Sequence, residues 1–189
     1  MTYKFEKGYR QWLFLSILLF GSGLAWGLTA TTGTSGPLSG NVSALKKLSD
    51  FLSPLPPISV FAFIYLKNVV ALLASFVLSP FFLLMPAAAL ILNGGILGLV
   101  AADVAHRKSV FYVLAGTLPH GIFELPAFFI GEAAAFSFGA AVLLALVRRD
   151  KRAQLLPNLK QNLKHLAVAC ILLLPAALIE AFVTPVLVR

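Results

Sequence analysis

The sequence predicts an all-α integral membrane protein, a bundle of about five transmembrane helices. Of its 189 residues, 59% are hydrophobic and only 12% are charged, whereas a soluble domain carries about 25% charged residues. Most of the charged residues also fall into four clusters separated by long, largely uncharged stretches: Lys4 to Arg10, Lys46 to Asp50, Asp103 to Lys108 and Arg148 to Lys164. This alternation is typical of membrane spans and the loops that join them. We therefore treat residues 1–189 as a single transmembrane domain.

The basic residues favour membrane lipid over nucleic acid as a partner. The net charge is +8, but most lysines and arginines lie beside apolar stretches and do not form a basic face with interleaved aromatic residues. Basic residues in such positions orient a membrane protein and contact anionic lipid headgroups. We expect no nucleic-acid partner.

The first span covers about Gln11 to Ala30, which at about 20 residues is long enough to cross the hydrocarbon core. Trp12 and Trp26 lie near its ends, where amphipathic rings favour the membrane interface. Its apolar stretch is longer than the core of a usual secretory signal, and no clear cleavage site follows it. We therefore interpret it as a retained span.

A short amphipathic helix is predicted near residues 41–52. Its apolar residues recur at helical spacing, which is typical of a helix that lies on the membrane surface. The prolines of residues 53–57 end this helix, because proline lacks the amide proton that a helix interior needs.

Three further spans are predicted at Ile58 to Leu78, Phe81 to Val100 and Leu163 to Val188. The stretch Val110 to Val147 is ambiguous by length. It is long enough for two short spans, or for a partial insertion followed by one long helix.

The positive-inside rule decides between these two interpretations. The N-terminus and residues 148–152 are the most basic segments, which places both in the cytoplasm and requires an even number of crossings between them. Residues 110–147 then cross once, with a re-entrant segment near residues 110–118 that breaks at Thr117 to Pro119. The sequence thus predicts a cell-membrane protein with five crossings, a cytoplasmic N-terminus and an external C-terminus.

Several polar residues interrupt the apolar stretches. A charged residue at the bilayer centre costs about 2.5–3.5 kcal/mol, so we expect these side chains to face the protein interior. Mutual hydrogen bonding offsets the cost, and we predict a single buried polar site formed by Asn68, Asn93, His120, Glu124 and Glu180. Lys67 and Glu132 are candidate further members of this site.

His120 and Glu124 form the densest part of the predicted site. They follow Pro119 at positions i and i+4, so they project from the same face of a helix. Three interpretations stay open: a structural hydrogen-bonded pair, two ligands of a divalent metal such as zinc, or part of a proton or substrate path. With Glu180 as a third member, these residues are the candidate metal ligands. The second histidine of the zincin motif H-E-x-x-H is absent.

The common enzyme signatures are absent from the sequence. It contains no phosphate-binding loop of the Walker type and no Ser-x-x-Lys pair. The single cysteine, Cys170, excludes an intrachain disulfide and a cysteine-based zinc cluster. We expect a protein that is not an enzyme and has no catalytic residues.

Small residues and phenylalanines in the spans indicate self-association. Gly94, Gly95, Gly98, Gly131 and Gly139 allow helix backbones to approach closely. Sixteen phenylalanines offer more apolar surface than one small bundle needs. We expect a homodimer.

Four segments together resemble the stage II sporulation protein M family of multi-pass membrane proteins. They are Lys67-Asn68, Asn93-Gly94, the Pro-His-Gly-x-x-Glu element of residues 119–124, and Ile-Glu-Ala-Phe-Val-Thr-Pro of residues 179–185. The resemblance extends from about Lys67 to Pro185.

The resemblance implies a multi-helix membrane protein of the cell envelope. In spore-forming bacteria the namesake of the family looks like a membrane anchor for peptidoglycan-degrading partners, the stage II sporulation proteins D and P, during engulfment. The family also occurs in organisms that neither sporulate nor make peptidoglycan, so this role need not transfer.

Three functional hypotheses follow. The leading one is a non-enzymatic membrane scaffold of the cell envelope that binds a second copy of itself or other envelope proteins. The alternatives are a transporter or channel for a small solute or ion, favoured by interrupted helices, and an intramembrane metal-dependent enzyme.

Overall fold

A computed structural model of the chain describes residues 2–30, 47 and 50–188. Within these residues the elements are α1 (Thr2–Thr29), α2 (Pro57–Leu78), α3 (Leu84–Arg107), α4 (Val110–Val147), a 3₁₀ helix (Arg149–Gln154), α5 (Leu155–Leu178), a π-helical turn (Ile179–Val183) and α6 (Thr184–Leu187). The predicted amphipathic helix at residues 41–52 lies for the most part outside the described residues.

The predicted fold class is confirmed. The described part of the chain contains five helices that are long and apolar enough to cross a membrane: Gly8–Thr29, Pro57–Leu78, Leu84–Arg107, Val110–Val147 and Arg149–Leu187. No strand occurs among the described residues. The chain is therefore an all-α bundle with five candidate membrane spans.

The predicted re-entrant segment near residues 110–118 is wrong. The chain is helical without interruption from Val110 to Val147, and Pro119 and Pro126 both lie inside this helix. A proline within a membrane helix is tolerated where neighbouring groups compensate the freed backbone. Here the helix begins at Ser109, whose side chain accepts a hydrogen bond from the Tyr112 amide at 3.1 Å, and it continues past the expected break.

Helices α1 and α3 pack backbone against backbone. A Cβ atom on Gly27 would overlap the carbonyl oxygen of Gly95, and one on Gly98 would overlap that of Leu24. Gly23 makes a similarly close approach to Ile91. The contacts advance in the same direction along both helices, so the two helices are parallel, and the glycine spacing of four residues in each matches the close-packing motif of membrane helices.

Helix α4 lies at the centre of the bundle. Alanines of α4 pack against leucines and Phe76 of α2 and α5 in one apolar cluster of Leu72, Phe76, Ala127, Ala134, Ala135, Leu166, Ala169 and Leu173. Gly139 lies so close to α2 that an added Cβ would be 2.6 Å from the carbonyl oxygen of Ser79. Small side chains on α4 thus bring its neighbours close enough for side chains to reach across.

The helix directions agree with successive crossings. Helix α2 is parallel to α4, because Asn68 pairs with Glu124 and Ser75 pairs with Glu132 further along both helices. Helix α5 is antiparallel to α4, because Asn162 meets Ser137 whereas Val188, beyond α5, meets Tyr112. Helices that alternate in direction in this way suit a chain that crosses the membrane five times.

Candidate polar site between α2, α4 and the C-terminal helix

His120 and Glu124 lie one turn apart on α4, with 3.8 Å between Nε2 of the imidazole and Oε2 of the carboxylate. The uninterrupted helix holds both side chains on the same face, as their spacing predicts. The imidazole is 14% exposed and the carboxylate 31%. The described residues therefore cover this pair only in part, and Glu124 less than His120.

Glu180 approaches the pair from the π-helical turn that follows α5. In this turn the Thr184 amide donates to the Ile179 carbonyl, five residues back. The cause lies in Pro185, which has no amide proton and whose ring would crowd the carbonyl four residues earlier in a regular α-helix. One ligand atom each of His120, Glu124 and Glu180 lies within 4.8 Å of the others.

Two further side chains bond to members of this group. Asn68 of α2 donates from Nδ2 to Oε1 of Glu124 at 3.2 Å. Thr184 Oγ1 lies 3.4 Å from Nδ1 of His120. Asn68 was among the expected residues, whereas Thr184 was not, although it follows Glu180 at i+4 and so shares its helix face. We call His120, Glu124, Glu180, Asn68 and Thr184 the polar cluster.

The polar cluster lies near the middle of the membrane-spanning part of α2. Asn68 is the twelfth residue of the 22-residue α2, about 17 Å from its start at 1.5 Å per residue. The hydrocarbon core of a bilayer is about 30 Å thick. The carboxylates therefore lie at a depth where lipid alone solvates them poorly.

Lys67 lies beside the polar cluster without a salt bridge to it. Its side chain is exposed, and it directly precedes Asn68 on α2. Among the described residues, no carboxylate oxygen lies within salt-bridge distance of its ammonium group.

Asn93 does not join the cluster. It is exposed on α3, and its amide donates to the Ala89 carbonyl of its own helix at 2.7 Å. The glycine face of α3 turns toward α1 to make the close contact, and Asn93 satisfies its amide locally. The expectation that Asn93 forms part of a buried group is therefore corrected.

Glu132 forms a separate buried pair. It is 1% exposed and accepts a hydrogen bond from Ser75 Oγ of α2 at 2.5 Å. It is eight residues beyond Glu124 on the same helix, about 12 Å along the axis. This acid therefore fastens α2 to α4 away from the polar cluster, and its partner Ser75 was not expected.

Two more polar contacts join α4 to its neighbours. Tyr9 of α1 donates to the Ile130 carbonyl at 2.9 Å, and its ring stacks on His165 of α5 with 3.9 Å between the centroids. Asn162 of α5 donates to Ser137 at 3.2 Å. In sequence these residues lie near the ends of spans, where polar side chains are ordinary, so no signal singled them out.

The side chains of the polar cluster are of types that can bind a cation. Imidazole nitrogen and carboxylate oxygen are ligands for divalent first-row metals, and the same groups also hold and transfer protons. Asn68 contacts Oε1 of Glu124, and Thr184 contacts Nδ1 of His120. These contacts restrict the rotation of the two side chains.

The chain belongs to the stage II sporulation protein M family, because it matches that family over residues 14–185. The matched range includes every member of the polar cluster and all five candidate spans in whole or in large part. The predicted family is thus confirmed, and with it a multi-pass membrane protein.

Among curated proteins, the chain is similar to an uncharacterized protein of Methanocaldococcus jannaschii. The two are 32% identical over 97 residues, which are 51% of this chain and 54% of the relative. The chain therefore spans about half the length of the curated relative that it matches. No solved structure matches the chain.

Proposed function

We propose that this chain is a non-enzymatic scaffold of the cell membrane that holds a partner helix against the exposed face of α2. The observation that carries the proposal is Lys67, a charged side chain exposed at the middle of a membrane-spanning helix. Its partner in the first instance is a second copy of the same chain.

The energetic argument rests on the position of this lysine. A lysine at the centre of a membrane helix costs about 2.5–3.5 kcal/mol if it faces lipid. Lys67 is too far from either end of α2 for its side chain to reach an interface easily. A partner that covers α2 and supplies an acid lowers this cost.

The surface around Lys67 suits a helix partner. Leu66 and Val70 are exposed on the same side of α2, and Ala71 and Ala74 are exposed one and two turns further on. Small residues let a second backbone approach, and the large apolar side chains beside them supply packing area.

A second copy supplies the complementary charge. Glu124 is 31% exposed beside α2, so in a two-fold arrangement Lys67 of each copy can meet Glu124 of the other. Such an interface is self-complementary and closes as a dimer. Other envelope proteins with an acidic residue at the same depth fit the same surface.

The charge pattern supports the proposed orientation. The 3₁₀ helix that joins α4 to α5 contains Arg149, Lys151 and Arg152, and basic loops remain in the cytoplasm. This supports a cytoplasmic N-terminus and an external start of α2.

Cysteine crosslinking tests the scaffold. In a Cys170→Ala background, Val70→Cys introduces a thiol on the proposed face, and Phe14→Cys introduces one on α1 at similar exposure, 60% and 62% respectively. We expect oxidation in native membranes to give a disulfide-linked dimer from Val70→Cys and little from Phe14→Cys. Leu66→Cys and Ala74→Cys cover neighbouring positions of the interface.

A charge variant completes the experiment. Lys67→Leu should reduce the crosslinking of Val70→Cys, whereas Lys160→Leu, on α5 outside the face, should not. Equal crosslinking at Val70 and Phe14, or monomer at every position of the face, would refute the self-associating scaffold.

A second candidate function is the transport of a small cation. The observation that favours it is the partial exposure of the polar cluster near mid-membrane depth together with the π-helical turn that contains Glu180. Interrupted helices that place carboxylates at this depth are found in transporters. Flux of a radiolabelled cation into proteoliposomes, abolished by Glu180→Gln, would favour transport over a purely structural role.

A further inference from the structure

We propose that His120, Glu124 and Glu180 bind one divalent transition-metal ion, with Zn²⁺ as the first probe. The three ligand atoms come from α4 and from the π-helical turn, and they lie within 4.8 Å of one another. This inference shares Glu124 and Lys67 with the proposed scaffold, but it needs no partner chain, because all three ligands belong to one bundle.

The hydrogen bonds around the cluster indicate which atoms face the ion. Nδ1 of His120 is directed to Thr184 Oγ1. When Nδ1 carries the proton and donates it to that hydroxyl, Nε2 presents its lone pair toward Glu124. A histidine that binds a metal through one ring nitrogen usually donates a hydrogen bond from its other ring nitrogen to a nearby oxygen.

The two carboxylates also need a positive charge between them. Glu124 receives one hydrogen bond, from Asn68 at Oε1, while Oε2 faces His120. No hydrogen bond or salt bridge to the Glu180 carboxylate occurs among the described residues. At mid-membrane depth the Nε2 lone pair and the two carboxylates repel one another. A cation or protons between them would remove this repulsion.

The distances suit a metal after a small movement. In a four-coordinate zinc site with bonds of about 2.0–2.2 Å, neighbouring ligand atoms lie about 3.4 Å apart. His120 and Glu124 are at 3.8 Å, so this pair must close by a few tenths of an ångström, which the hydrogen bond from Asn68 can follow. The Glu180 side chain has no hydrogen bond among the described residues and can rotate toward the pair. Three protein ligands leave a fourth position for water or another molecule.

The positive charge of Lys67 should weaken metal binding at this site. Lys67 directly precedes Asn68 on α2, and its side chain is exposed, so its positive charge competes with a bound cation for the negative charge of the polar cluster. Removing this charge should therefore tighten metal binding, whereas a site that needed Lys67 as a structural counter-ion would weaken.

Metal analysis of the full chain tests the site. The protein is purified in mild detergent with a tag that contains no histidine, treated with chelator, equilibrated with Zn²⁺ and freed of excess metal. We expect about one zinc per chain by mass spectrometry, and at least a tenfold loss of affinity in His120→Ala, Glu124→Gln and Glu180→Gln. Glu132→Gln and His106→Ala are the matched controls and should retain the metal.

Two further readouts keep the result interpretable. Co²⁺ bound to the wild type should give the visible absorption of a low-coordinate site, which Glu180→Gln removes. Lys67→Gln should raise the zinc affinity several-fold while each variant stays monodisperse in size-exclusion chromatography. Zinc retained equally by Glu180→Gln and the wild type would overturn the proposal, as would a wild type that binds no zinc above the level of that variant.

The outcomes separate this site from the scaffold. Zinc binding without crosslinking at Val70 would support the metal site and refute self-association. Crosslinking without zinc binding would refute the metal site and leave the polar cluster as a hydrogen-bonded contact between helices.

Discussion

Asn68 of α2 donates a hydrogen bond to Glu124 of α4 across 3.2 Å, near the middle of the membrane-spanning helix α2. The bond links Glu124, an acid of the polar cluster that is 31% exposed, to a neighbouring span. It therefore serves two purposes, since it fastens α2 to α4 and restricts the Glu124 carboxylate to one orientation.

The first prediction concerns this bond. Asn68→Ala should lower the stability of the bundle by about 0.6 kcal/mol and by no more than about 1.7 kcal/mol, the average and the maximum measured for hydrogen bonds between membrane helices. Thermal unfolding in detergent measures the change. Asn93→Ala is the matched control, because Asn93 bonds only within its own helix. An equal loss in both variants would show that the contact across the helices contributes nothing of its own.

A second prediction concerns the glycine contact of α1 with α3. Gly98→Ala places a Cβ atom on the Leu24 carbonyl, so the helices must separate, and we expect a loss of about 1–3 kcal/mol. Gly21→Ala on α1 has nothing within 4 Å of the added atom and should be neutral or slightly stabilising. Thermal unfolding distinguishes them, and a tolerated Gly98→Ala would contradict the packing.

A third prediction concerns the buried acid Glu132. Ser75→Ala removes the hydroxyl that donates to it at 2.5 Å, which should cost about 1–3 kcal/mol because a buried acceptor is left without that donor. Combining Ser75→Ala with Glu132→Leu should cost less than the sum of the two single changes. Additive losses would show that the two side chains are not coupled.

Much of the fold was predictable from the sequence because membrane spans need about 20 apolar residues. The bounds were less predictable, since α3 continues from the expected end at Val100 to Arg107 and α5 begins at Leu155, eight residues before the expected Leu163. A helix continues into charged residues once its backbone leaves the hydrocarbon. The expected break at Pro119 failed because proline does not end a membrane helix as it ends a soluble one.

The site was predictable in its acids and its histidine, whose cost in lipid makes convergence favourable. Its hydroxyl groups were not. Serine and threonine in helices commonly bond to a carbonyl of their own helix, as Ser16 and Thr117 do here, so nothing in the sequence distinguishes Ser75. For Thr184 the only signal was its position four residues after Glu180. The contact of Gly23 and Gly27 with α3 was visible in their spacing of four residues but was not singled out.

A fourth prediction concerns topology. Cysteines introduced at Ser35 and at Ala153 in a Cys170→Ala background should react with a membrane-impermeant maleimide from opposite faces, Ser35 from outside and Ala153 from the cytoplasm. The physical reason is the placement of the basic clusters. Cys170→Ala alone serves as the blank. Labelling of both positions from one face would contradict the five-crossing arrangement.

The last prediction links Pro185 to the direction in which Glu180 points. Pro185 lacks the amide proton that would bond to the Ala181 carbonyl in a regular α-helix, and the turn before it is widened, with the Thr184 amide bonded to Ile179. Pro185→Ala restores that proton and permits a regular α-helix. A π-helical turn contains one residue more than an α-helical turn. When it becomes α-helical, the residues before the turn rotate by about 100° relative to those after it.

Glu180 would then turn away from His120 and Glu124. We expect Pro185→Ala to weaken zinc binding at least tenfold while the protein remains helical by circular dichroism. Pro175→Ala is the matched control, because Pro175 lies in the same membrane-spanning segment but within the regular part of α5, and it should leave zinc binding unchanged. If both variants bind zinc as the wild type does, Pro185 does not orient Glu180. If both lose it equally, the loss reflects general disturbance of the helix and not the π-helical turn.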